Sequence, residues 1–423
     1  MKILVVGSGG REHALCWAFK RSNKVTELYC ANGNAGIARI AKCVPIKPDD
    51  IAGLVDFASQ NSIDLTFVGG ETSLALGIVD EFERLEFKII GPNKQAAQLE
   101  ASKSFAKDFM ARHGVPTANY TVANSPAFAI EELESGDLGD ESTPVVVKAD
   151  GLAAGKGVVV AKDRAEAIAA IKDLEGIVGS DAVAKIVLEE CLFGKEVSLL
   201  MFADGEDFAL MPPVRDHKRI GEGDTGPNTG GMGTFTDASL LTSDQLAEIT
   251  DKIIRPTLHG CVREGFRYRG ILFLGLMMTA AGPKLLEYNV RFGDPETQSI
   301  LMRLETDIVD ICETMLNGSL NDHDIKWHPG SSACVVLAAA DYPGKPKTGD
   351  AISGLDRASE MPNVEIFHAE TALSASGEFV SAGGRVIGVA ATGDDLEKAL
   401  STAYSAAEKI SWPGMQYRRD IGR

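Results

Sequence analysis

Short apolar stretches alternate with helical patterns along the first hundred residues. Strands are predicted at 3–6, 27–31, 65–68 and 88–90. Helical periodicity covers 11–19, and Leu74, Ile78 and Phe82, spaced by four, predict one buried helical face. Because strand and helix alternate, we expect a doubly wound parallel sheet. Gly91 and Pro92 interrupt the pattern, so the first domain is placed at 1–101.

The rest of the chain mixes strands and helices without strict alternation. Strands are predicted at 145–148, 158–160, 186–188, 197–202, 271–278 and 284–288, and helices at 102–112, 165–174, 245–264 and 300–316. A long polar loop is expected at 216–233, and a loop of this length is usually functional or disordered. Apolar runs from 333 onward and a helix at 396–410 predict a small α+β domain at 325–423.

Composition narrows the function classes. The 423 residues carry a net charge of −18, which disfavours nucleic acid and anionic membranes as partners because both require a basic surface. The seven cysteines form no C-x-x-C pair, so neither a zinc site nor a disulfide framework is expected. No apolar run approaches the roughly 18 residues of a membrane span, and residues 1–7 do not form a signal peptide. We expect a cytoplasmic protein with reduced cysteines.

A glycine-rich turn follows the first predicted strand. Gly7, Gly9 and Gly10 lie between strand and helix, where backbone N–H groups often bind an anion. The dinucleotide pattern G-x-G-x-x-G requires a third glycine, but Glu12 occupies that position. A site for a single phosphate, assisted by Arg11, and a purely structural turn are about equally favoured.

A second glycine-rich segment, 148–157, separates two β-branched strands. It is not a Walker loop, because no helix follows and Gly157 stands where that motif has Ser or Thr. Small residues between Lys148 and Lys156 suit a flap over a polyphosphate. The alternative is a long flexible hairpin, which we consider the weaker interpretation.

A polar strand end at 287–291 offers metal and anion ligands. Glu287 and Asn289 share one face of a predicted strand, and their oxygens suit Mg²⁺ together with substrate phosphates. Arg291 follows, and its planar guanidinium could bind a carboxylate or phosphate. A polar sheet face with an Arg–Glu pair remains the alternative. The polar 216–233 loop is a further candidate for an active-site loop.

Five stretches together resemble the glycinamide ribonucleotide synthetase (phosphoribosylamine–glycine ligase) family of ATP-grasp ligases. They are G-S-G-G-R-E-H at 7–13, K-A-D-G-L-A-A-G-K-G at 148–157, D-H-K-R at 216–219, D-T-G-P-N-T-G-G-M-G at 224–233 and R-F-G-D-P-E-T-Q at 291–298. The resemblance runs almost from end to end and includes R-D-I-G at 419–422. The stretch at 291–299 is the specific one, whereas the first glycine loop alone is not.

The resemblance implies an α/β and α+β multidomain chain. Its parts are a pre-ATP-grasp doubly wound N-terminal domain at 1–101, a two-lobed ATP-grasp core at 102–324 with a smaller flap-bearing lobe at about 122–191, and a small mixed C-terminal domain at 325–423. The implied reaction joins glycine to 5-phosphoribosylamine with ATP, through glycyl phosphate. Positioning and charge neutralisation supply most of such catalysis.

The matching positions also imply the site residues. The ATP-binding positions are Lys103, Lys148, Gly151, Ala154, Gly155, Lys156, Gly157, Glu189, Leu192 and Glu196. Glu287 and Asn289 match the ligands of Mg²⁺ or Mn²⁺. Asp216 and Arg291 are candidates for the ammonium and carboxylate of glycine, and with Lys148 they form the catalytic set. The candidates for the ribose phosphate are Gly9, Gly10, Arg11 and Asn34, with Glu71 nearby.

Three other functions remain as alternatives. The first turn suggests an NAD-dependent dehydrogenase, although Glu12 argues against it. A non-catalytic nucleotide sensor or a ligase for another acid and amine would share the fold, but the intact Lys148, Glu287, Asn289 and Arg291 and the D-H-K-R run disfavour both. Expected partners are the small-molecule substrates ATP, glycine and 5-phosphoribosylamine, with transient contact to neighbouring purine-pathway enzymes.

Overall fold

The computed structural model describes residues 1–151, 157–179 and 184–423. The predicted flap positions Ala154, Gly155 and Lys156 lie outside these ranges. Among the described residues, no helix is both long enough and apolar enough to cross a membrane.

The N-terminal part is the doubly wound sheet that the sequence predicts. Its strands are β1 (Lys2–Gly7), β2 (Glu27–Asn32), β3 (Lys42–Val44), β4 (Leu65–Val68) and β5 (Ile89–Ile90), all parallel in the order β3-β2-β1-β4-β5. Its helices are α1 (Gly10–Lys20), α2 (Ile51–Asn61), α3 (Glu71–Leu76) and α4 (Ile78–Arg84). The strand order reverses between β1 and β4, and ligands of such sheets bind outside the carboxyl ends of the strands at this point.

Two short helices, α5 (Gln98–Ala101) and α6 (Lys103–His113), lead into a small antiparallel sheet. Its strands are β6 (Tyr120–Ala123), β7 (Val145–Ala149), β8 (Val158–Ala161) and β9 (Ile186–Glu190), in the order β6-β9-β7-β8. Helices α7 (Pro126–Ser135) and α8 (Arg164–Val178) pack on it. The β-branched runs at 145–147 and 158–160 thus form a hairpin whose connection is the predicted flap.

A nine-stranded sheet is the largest of the sheets in the described residues. Its strands are β10 (Lys195–Asp204), β11 (Asp207–Leu210), β12 (Val214–Asp216), β15 (Gly233–Thr236), β16 (Arg269–Thr279), β17 (Gly282–Asn289), β18 (Ser331–Ala338), β19 (Val364–His368) and β22 (Arg385–Gly393). The order is β17-β16-β10-β12-β15-β18-β22-β19, with β11 paired to β10. The strands predicted for the C-terminal α+β region therefore extend the central sheet.

Among the described residues, two hairpins and six further α-helices complete the fold. The hairpin strands are β13 (Arg219–Gly221) with β14 (Thr225–Asn228), and β20 (Thr371–Leu373) with β21 (Phe379–Ser381). The helices are α9 (Ser243–Ile249), α10 (Arg255–Arg263), α11 (Glu296–Leu301), α12 (Ile308–Asn317), α13 (Leu355–Ser359) and α14 (Leu396–Ala407).

Several predicted elements differ from the structure. The loop expected at 216–233 contains the β13–β14 hairpin. The helix expected at 300–316 is two helices, because Asp307 accepts a hydrogen bond from Val309 N and caps α12 as a new start. The helix expected at 245–264 is interrupted by a π-helical turn, Thr250–Ile254. Leu74, Ile78 and Phe82, expected on one helix, lie on two. Leu74 is on α3 and the other two are on α4, and Gly77 separates the helices.

The N-terminal sheet and the large sheet share their hydrophobic cores. Leu4 of β1 and Leu274 of β16 belong to one buried cluster, whereas Ile3 and Phe292 belong to another on the opposite face of β1. Phe67 of β4 stacks on Phe292 with ring centroids 6.1 Å apart. This packing fixes the carboxyl ends of β1 and β4 against the end of β17, so the turns that follow these strands face one another.

Candidate active site

A cavity of about 400 Å³ lies where the N-terminal, small and large sheets meet. Most predicted site residues line it: Arg11, Glu71, Lys103, Lys148, Gly151, Gly157, Glu189, Asp216, Glu287, Asn289 and Arg291. Residues from distant parts of the chain therefore converge as the resemblance implies.

One end of the cavity is lined by lysines. Lys103 Nζ donates to Gly151 O at 2.8 Å, and Lys148 Nζ lies 2.7 Å from Glu189 Oε1. Lys107, which follows Lys103 by one helical turn on α6, lies 3.0 Å from Glu189 Oε2. Burial lowers the pKa of Lys107 to about 8 against the opposing attraction of Glu189. The side chain of Glu189 thus holds two lysines, and such a group suits a polyphosphate.

The polar end of β17 forms the wall beside the lysines. Glu287 and Asn289 both line the cavity from this strand. Burial disfavours the ionised form of Glu287, but Lys218, Lys148 and Lys103 outweigh it and keep its pKa below the ordinary value. Gly275 on β16 pairs with Glu287 on the neighbouring strand β17. A Cβ added to Gly275 would come within 3.1 Å of Glu287 Cγ. This glycine therefore leaves room for the carboxylate.

The oxygen donors on β17 fit a hard divalent cation. One carboxylate and one carboxamide oxygen are few ligands, as expected for Mg²⁺ that also binds substrate phosphates and water. Within the described ranges, no group of three or more His, Cys, Asp or Glu is placed to hold a metal by itself. The donor set thus suits an ion that is completed by a polyphosphate.

Arg291 follows Asn289 and lines the arginine–carboxylate end of the cavity between two carboxylates, and its Nη2 also donates to Asn289 Oδ1 at 3.3 Å. Its Nη2 is 2.7 Å from Glu100 Oε1 and its Nε is 3.3 Å from Glu71 Oε2. The second oxygen of Glu100 accepts from Val290 N at 2.7 Å, so this carboxylate fixes the backbone and the side chain at 290–291. Burial disfavours ionisation of Glu71, but Arg291 and Arg11 outweigh it and hold its pKa at about 2.

The first glycine turn binds a carboxylate of its own helix. Glu12 folds back so that its Oε2 accepts from Gly9 N at 2.6 Å, while its Oε1 lies 2.6 Å from Arg11 Nε. Arg11 N donates to Asp294 Oδ2 at 3.1 Å. Two of the donors expected to bind an anion are therefore engaged within the protein. The Arg11 guanidinium lines the cavity, while its Nε contacts Glu12 and its Nη1 donates to Phe292 O at 3.1 Å.

Gly10 and Asn34 are also engaged in packing. A Cβ on Gly10 would meet Gln298 Nε2 of α11 at 2.6 Å, so Gly10 permits the contact of α1 with α11. Asn34 Nδ2 donates to Ser8 O, His368 O and Ala369 O, and Oδ1 accepts from Gly36 N and Ile37 N. Neither lines the 400 Å³ cavity, and their binding of the ribose phosphate stays a prediction.

Two carboxylates, the half-buried Asp216 and the buried Glu296, face the same end. Asp216 of β12 and Glu296 of α11 both line the cavity. Burial and the neighbouring Glu296 raise the pKa of Asp216 well above its ordinary value, and burial also raises that of Glu296. A bound ammonium group would favour the ionised form of both carboxylates. This arrangement suits the amino group of an amino acid, as predicted for Asp216.

Two predicted ATP contacts lie off the cavity. Leu192 follows the end of β9 and is half-buried, whereas Glu196 is exposed and lies 3.4 Å from Lys218 Nζ. Neither lines the cavity. Both assignments stay predictions.

A second cavity of about 270 Å³ adjoins the first. Gly9 lines it, together with Tyr342, Glu370 and Arg385 from the C-terminal region. Both cavities share Asn228, Thr229, Gly230, Asp294 and Arg385. A ligand that spans them would contact both the N-terminal and the C-terminal parts of the chain.

Sequence reasoning missed several residues that line the cavities. Lys107 had a usable signal, since it lies four residues after Lys103 on one helix face. Glu296 lies within the R-F-G-D-P-E-T-Q stretch at 291–298, but the sequence assigns it no contact with a substrate. Glu100 and Arg385 carry no local pattern, and only the tertiary packing brings them to the site.

Comparison with known proteins identifies the family. Residues 1–100, 101–297 and 332–423 match the N domain, the ATP-grasp (A) domain and the C domain of phosphoribosylglycinamide synthetase. The chain is 48% identical to the phosphoribosylamine–glycine ligase of Xanthomonas axonopodis pv. citri, over 100% of this chain and 97% of that one.

Solved structures agree with this result. The crystal structure of phosphoribosylamine–glycine ligase from Thermotoga maritima superposes with a TM-score of 0.85 at 34% identity and covers 100% of both chains. The biotin carboxylase domain of Hydrogenobacter thermophilus 2-oxoglutarate carboxylase has a TM-score of 0.73 at 17% identity, with 98% of this chain and 91% of that one covered, and shares the fold. The chain therefore belongs to the phosphoribosylglycinamide synthetase family.

Proposed function

We propose that this chain joins glycine to 5-phosphoribosylamine at the expense of ATP, giving glycinamide ribonucleotide, ADP and phosphate in purine biosynthesis. One observation carries the proposal: a single cavity combines a lysine-lined end, an oxygen-ligand pair and an arginine–carboxylate end. The name and full-length identity of the curated relatives support the same reaction.

ATP occupies the lysine-lined end. Lys103 and Lys148 face the cavity from α6 and β7 and neutralise the phosphates, while Lys107 adds a third positive charge. Gly151 and Gly157 flank the predicted flap and line the same end. These groups hold the γ-phosphorus in place for attack, which is the main contribution of a protein to phosphoryl transfer.

Glu287 and Asn289 would hold Mg²⁺ or Mn²⁺ next to the phosphates. When bound, such an ion neutralises charge on the transferring phosphoryl group. Because Lys218, Lys148 and Lys103 keep Glu287 ionised, this carboxylate is available as a ligand at neutral pH.

Glycine occupies the arginine–carboxylate end. Asp216 and Glu296 accept hydrogen bonds from its ammonium group, and Arg291 orients its carboxylate. To bind glycine, Arg291 gives up its ion pair with one internal carboxylate and forms one with the carboxylate of glycine. Glu71 is the one that leaves, because its contact is 3.3 Å long and its side chain is 30% exposed, whereas the contact of Glu100 is 2.7 Å long and its side chain is 8% exposed.

Two displacements complete the reaction. A carboxylate oxygen of glycine attacks the γ-phosphorus, and the bond to ADP breaks, which gives glycyl phosphate. The amine of 5-phosphoribosylamine then attacks the carbonyl carbon, so that the C–N bond forms, phosphate leaves and the amine releases a proton. Arg11 and the second cavity are placed to receive the sugar phosphate, and Glu71 lies nearby as an acceptor for hydroxyl groups of the sugar.

The proposed role in purine biosynthesis also indicates where the enzyme acts and which proteins it contacts. All three substrates belong to central metabolism, so we assign the enzyme to the cytoplasm. Transient contact with neighbouring purine-pathway enzymes would shorten the path of the unstable amine.

ADP release tests the proposal. The chain is incubated with ATP, Mg²⁺ and glycine, with and without freshly generated 5-phosphoribosylamine. We expect sustained ADP formation only when glycine and the amine are both present. ATP binding without ADP formation from this pair would keep the fold and refute the substrate assignment.

A further inference from the structure

The 216–233 loop supplies much of the glycine end of the cavity although its middle projects from the molecule. It contributes Asp216, Lys218, Asn228, Thr229 and Gly230. Residues 222–227, which comprise the turn of the β13–β14 hairpin and most of β14, are exposed. A two-stranded hairpin alone is marginally stable, so contacts outside it must fix its position.

Those contacts come from the last residues of the chain. The guanidinium of Arg418 is almost fully buried, with 2% exposure. Its Nη1 donates to Arg219 O at 3.1 Å and to Asp224 Oδ1 at 2.7 Å. Arg418 therefore bonds both the base and the tip of the hairpin. Its Nε and Nη2 donate to Asp420 at 2.8 and 2.7 Å.

Two neighbours of Arg418 extend the same attachment. Asp420 Oδ2 accepts from Gly223 N at 2.8 Å, so the acid that orients Arg418 also holds the hairpin tip. Gly422 N donates to His217 Nε2 at 3.2 Å, and the other nitrogen of that ring contacts Gly233 O at 3.2 Å. His217 lies between Asp216 and Lys218, so this bond reaches the segment that lines the cavity.

The terminal segment is itself anchored to the large sheet. Tyr404 on α14 accepts from Ile421 N at 3.0 Å and donates to Arg418 O at 3.0 Å. Helix α14 packs on β18 and β22. A continuous set of contacts thus runs from the large sheet through Arg418 to the 216–233 loop.

We propose that Arg418 is a positioning residue for the glycine end of the site, which acts by holding the 216–233 loop in place. The proposal rests on the function proposed above. Arg418 touches no substrate; it fixes the hairpin that follows Asp216 and Lys218 and that leads back to Gly230. Its neighbour Arg419 contacts the loop only through its backbone N–H, which donates to Glu222 Oε1 at 3.2 Å.

These two adjacent arginines give a matched pair of variants. Arg418→Ala removes four hydrogen bonds from a charged donor, whereas Arg419→Ala leaves the backbone contact of residue 419 in place. In the full-length chain at saturating 5-phosphoribosylamine, we expect Arg418→Ala to raise KM for glycine about tenfold or more. KM for ATP should rise less than KM for glycine, because among the cavity-lining residues of the loop Lys218 is the one that reaches the ATP side, where it lies 3.4 Å from Glu196 and stabilises the ionised Glu287.

Conservative variants separate positioning from folding. Arg418→Lys keeps the charge but cannot bind Arg219 O, Asp224 and Asp420 together, so it should restore only part of the glycine affinity. Asp224→Asn removes the negative charge of one exposed partner but keeps an oxygen that can accept from Arg418, and it leaves the buried arginine in place, so it remains informative if Arg418→Ala fails to fold. We expect a rise in KM for glycine of about threefold in this variant.

A substrate-independent measurement completes the test. Hydrogen exchange at 219–228 should accelerate in Arg418→Ala and Asp224→Asn but not in Arg419→Ala. Equal KM values for glycine in the folded Arg418 and Arg419 variants, or an equal rise in KM for ATP, would overturn the proposal. If the wild-type chain forms no ADP, the proposed function fails; unchanged exchange at 219–228 in both test variants would instead refute the role of Arg418.

Discussion

The two ends of the cavity are built in different ways. The lysine-lined end comes from neighbouring elements, α6 and the small sheet, and lysine supplies its positive charge. The other end is assembled from the N-terminal turns, the end of β17, the 216–233 loop and the C-terminal region. At the lysine-lined end Lys148 and Lys107 share the one carboxylate of Glu189, whereas at the other end Arg291 alone faces two carboxylates, Glu100 and Glu71.

This difference follows from the ligands. A triphosphate carries only negative charge, so an excess of positive charge at one end binds it. Glycine and the amine carry positive nitrogen groups beside negative ones, so their end needs both signs of charge at fixed places. Internal ion pairs between Arg and Glu keep those charges in place before the substrates arrive, and each substrate replaces one internal partner.

The largest expected effect comes from the phosphate side. Glu287→Ala removes a carboxylate that three lysines keep ionised, so we expect kcat to fall by about 1000-fold or more because ATP loses its metal-binding contact. Steady-state ADP release at saturating ATP measures this. Excess Mg²⁺ should restore little activity.

A surface carboxylate provides the control for that variant. Glu248 pairs with Lys252 at 2.7 Å and does not line the cavity, so Glu248→Ala should retain wild-type kcat. Activity of Glu287→Ala close to that of Glu248→Ala at ordinary Mg²⁺ would refute the metal-ligand assignment.

Arg291→Lys tests the substrate end. Lysine keeps the charge but has no planar fork to bind a carboxylate while it also contacts Glu100. We expect kcat/KM for glycine to fall about 100-fold and KM for ATP to change little. The matched control is Arg303→Lys, at an arginine that donates to His328 O and Thr236 Oγ1 outside the cavity. An unchanged kcat/KM for glycine would show that Arg291 serves only the ion-pair network.

Arg11→Ala tests the N-terminal side of the same end. The guanidinium lies 3.9 Å from Glu71 and faces the cavity, so its loss should raise KM for 5-phosphoribosylamine about tenfold. ATP affinity should stay at the wild-type value. Arg39→Ala, at an exposed position, is the control. A larger change in ATP affinity than in KM for 5-phosphoribosylamine would refute the assignment of Arg11 to the substrate end.

The sequence indicates the direction of some site side chains and not of others, for a physical reason. Lys148 and Glu287 lie on regular strands next to apolar runs, where strand periodicity gives the direction of a side chain. Asn34 follows β2 on an irregular segment, where no periodicity gives the direction of its side chain; its amide donates to three carbonyl groups within the protein, and its contact with the ribose phosphate stays a prediction. Only the packing of distant segments brings Glu100 and Arg385 into the site, and the local sequence around these residues does not predict that packing.

A buried histidine pair behind the substrate end gives the smallest expected effect, on stability. His13 of α1 accepts a hydrogen bond from His368 N of β19 at its Nδ1, 2.8 Å away, and so joins the N-terminal and C-terminal parts. Burial lowers the pKa of His13 to about 3 and that of His368 to about 4, both below the ordinary value of 6.5. The folded state therefore binds fewer protons than the unfolded chain below pH 6.5.

The sign of the pH dependence follows from these lowered pKa values. The stability from the neutral histidines is complete above pH 6.5 and is lost as the pH falls towards 4, by up to roughly 1.4 kcal/mol per pH unit for each histidine. Denaturant unfolding between pH 4 and 7 measures this slope. His13→Asn keeps an acceptor for His368 N but cannot be protonated, so it should flatten the slope. An unchanged slope would mean that other groups, such as the buried carboxylates around Arg291, govern acid stability.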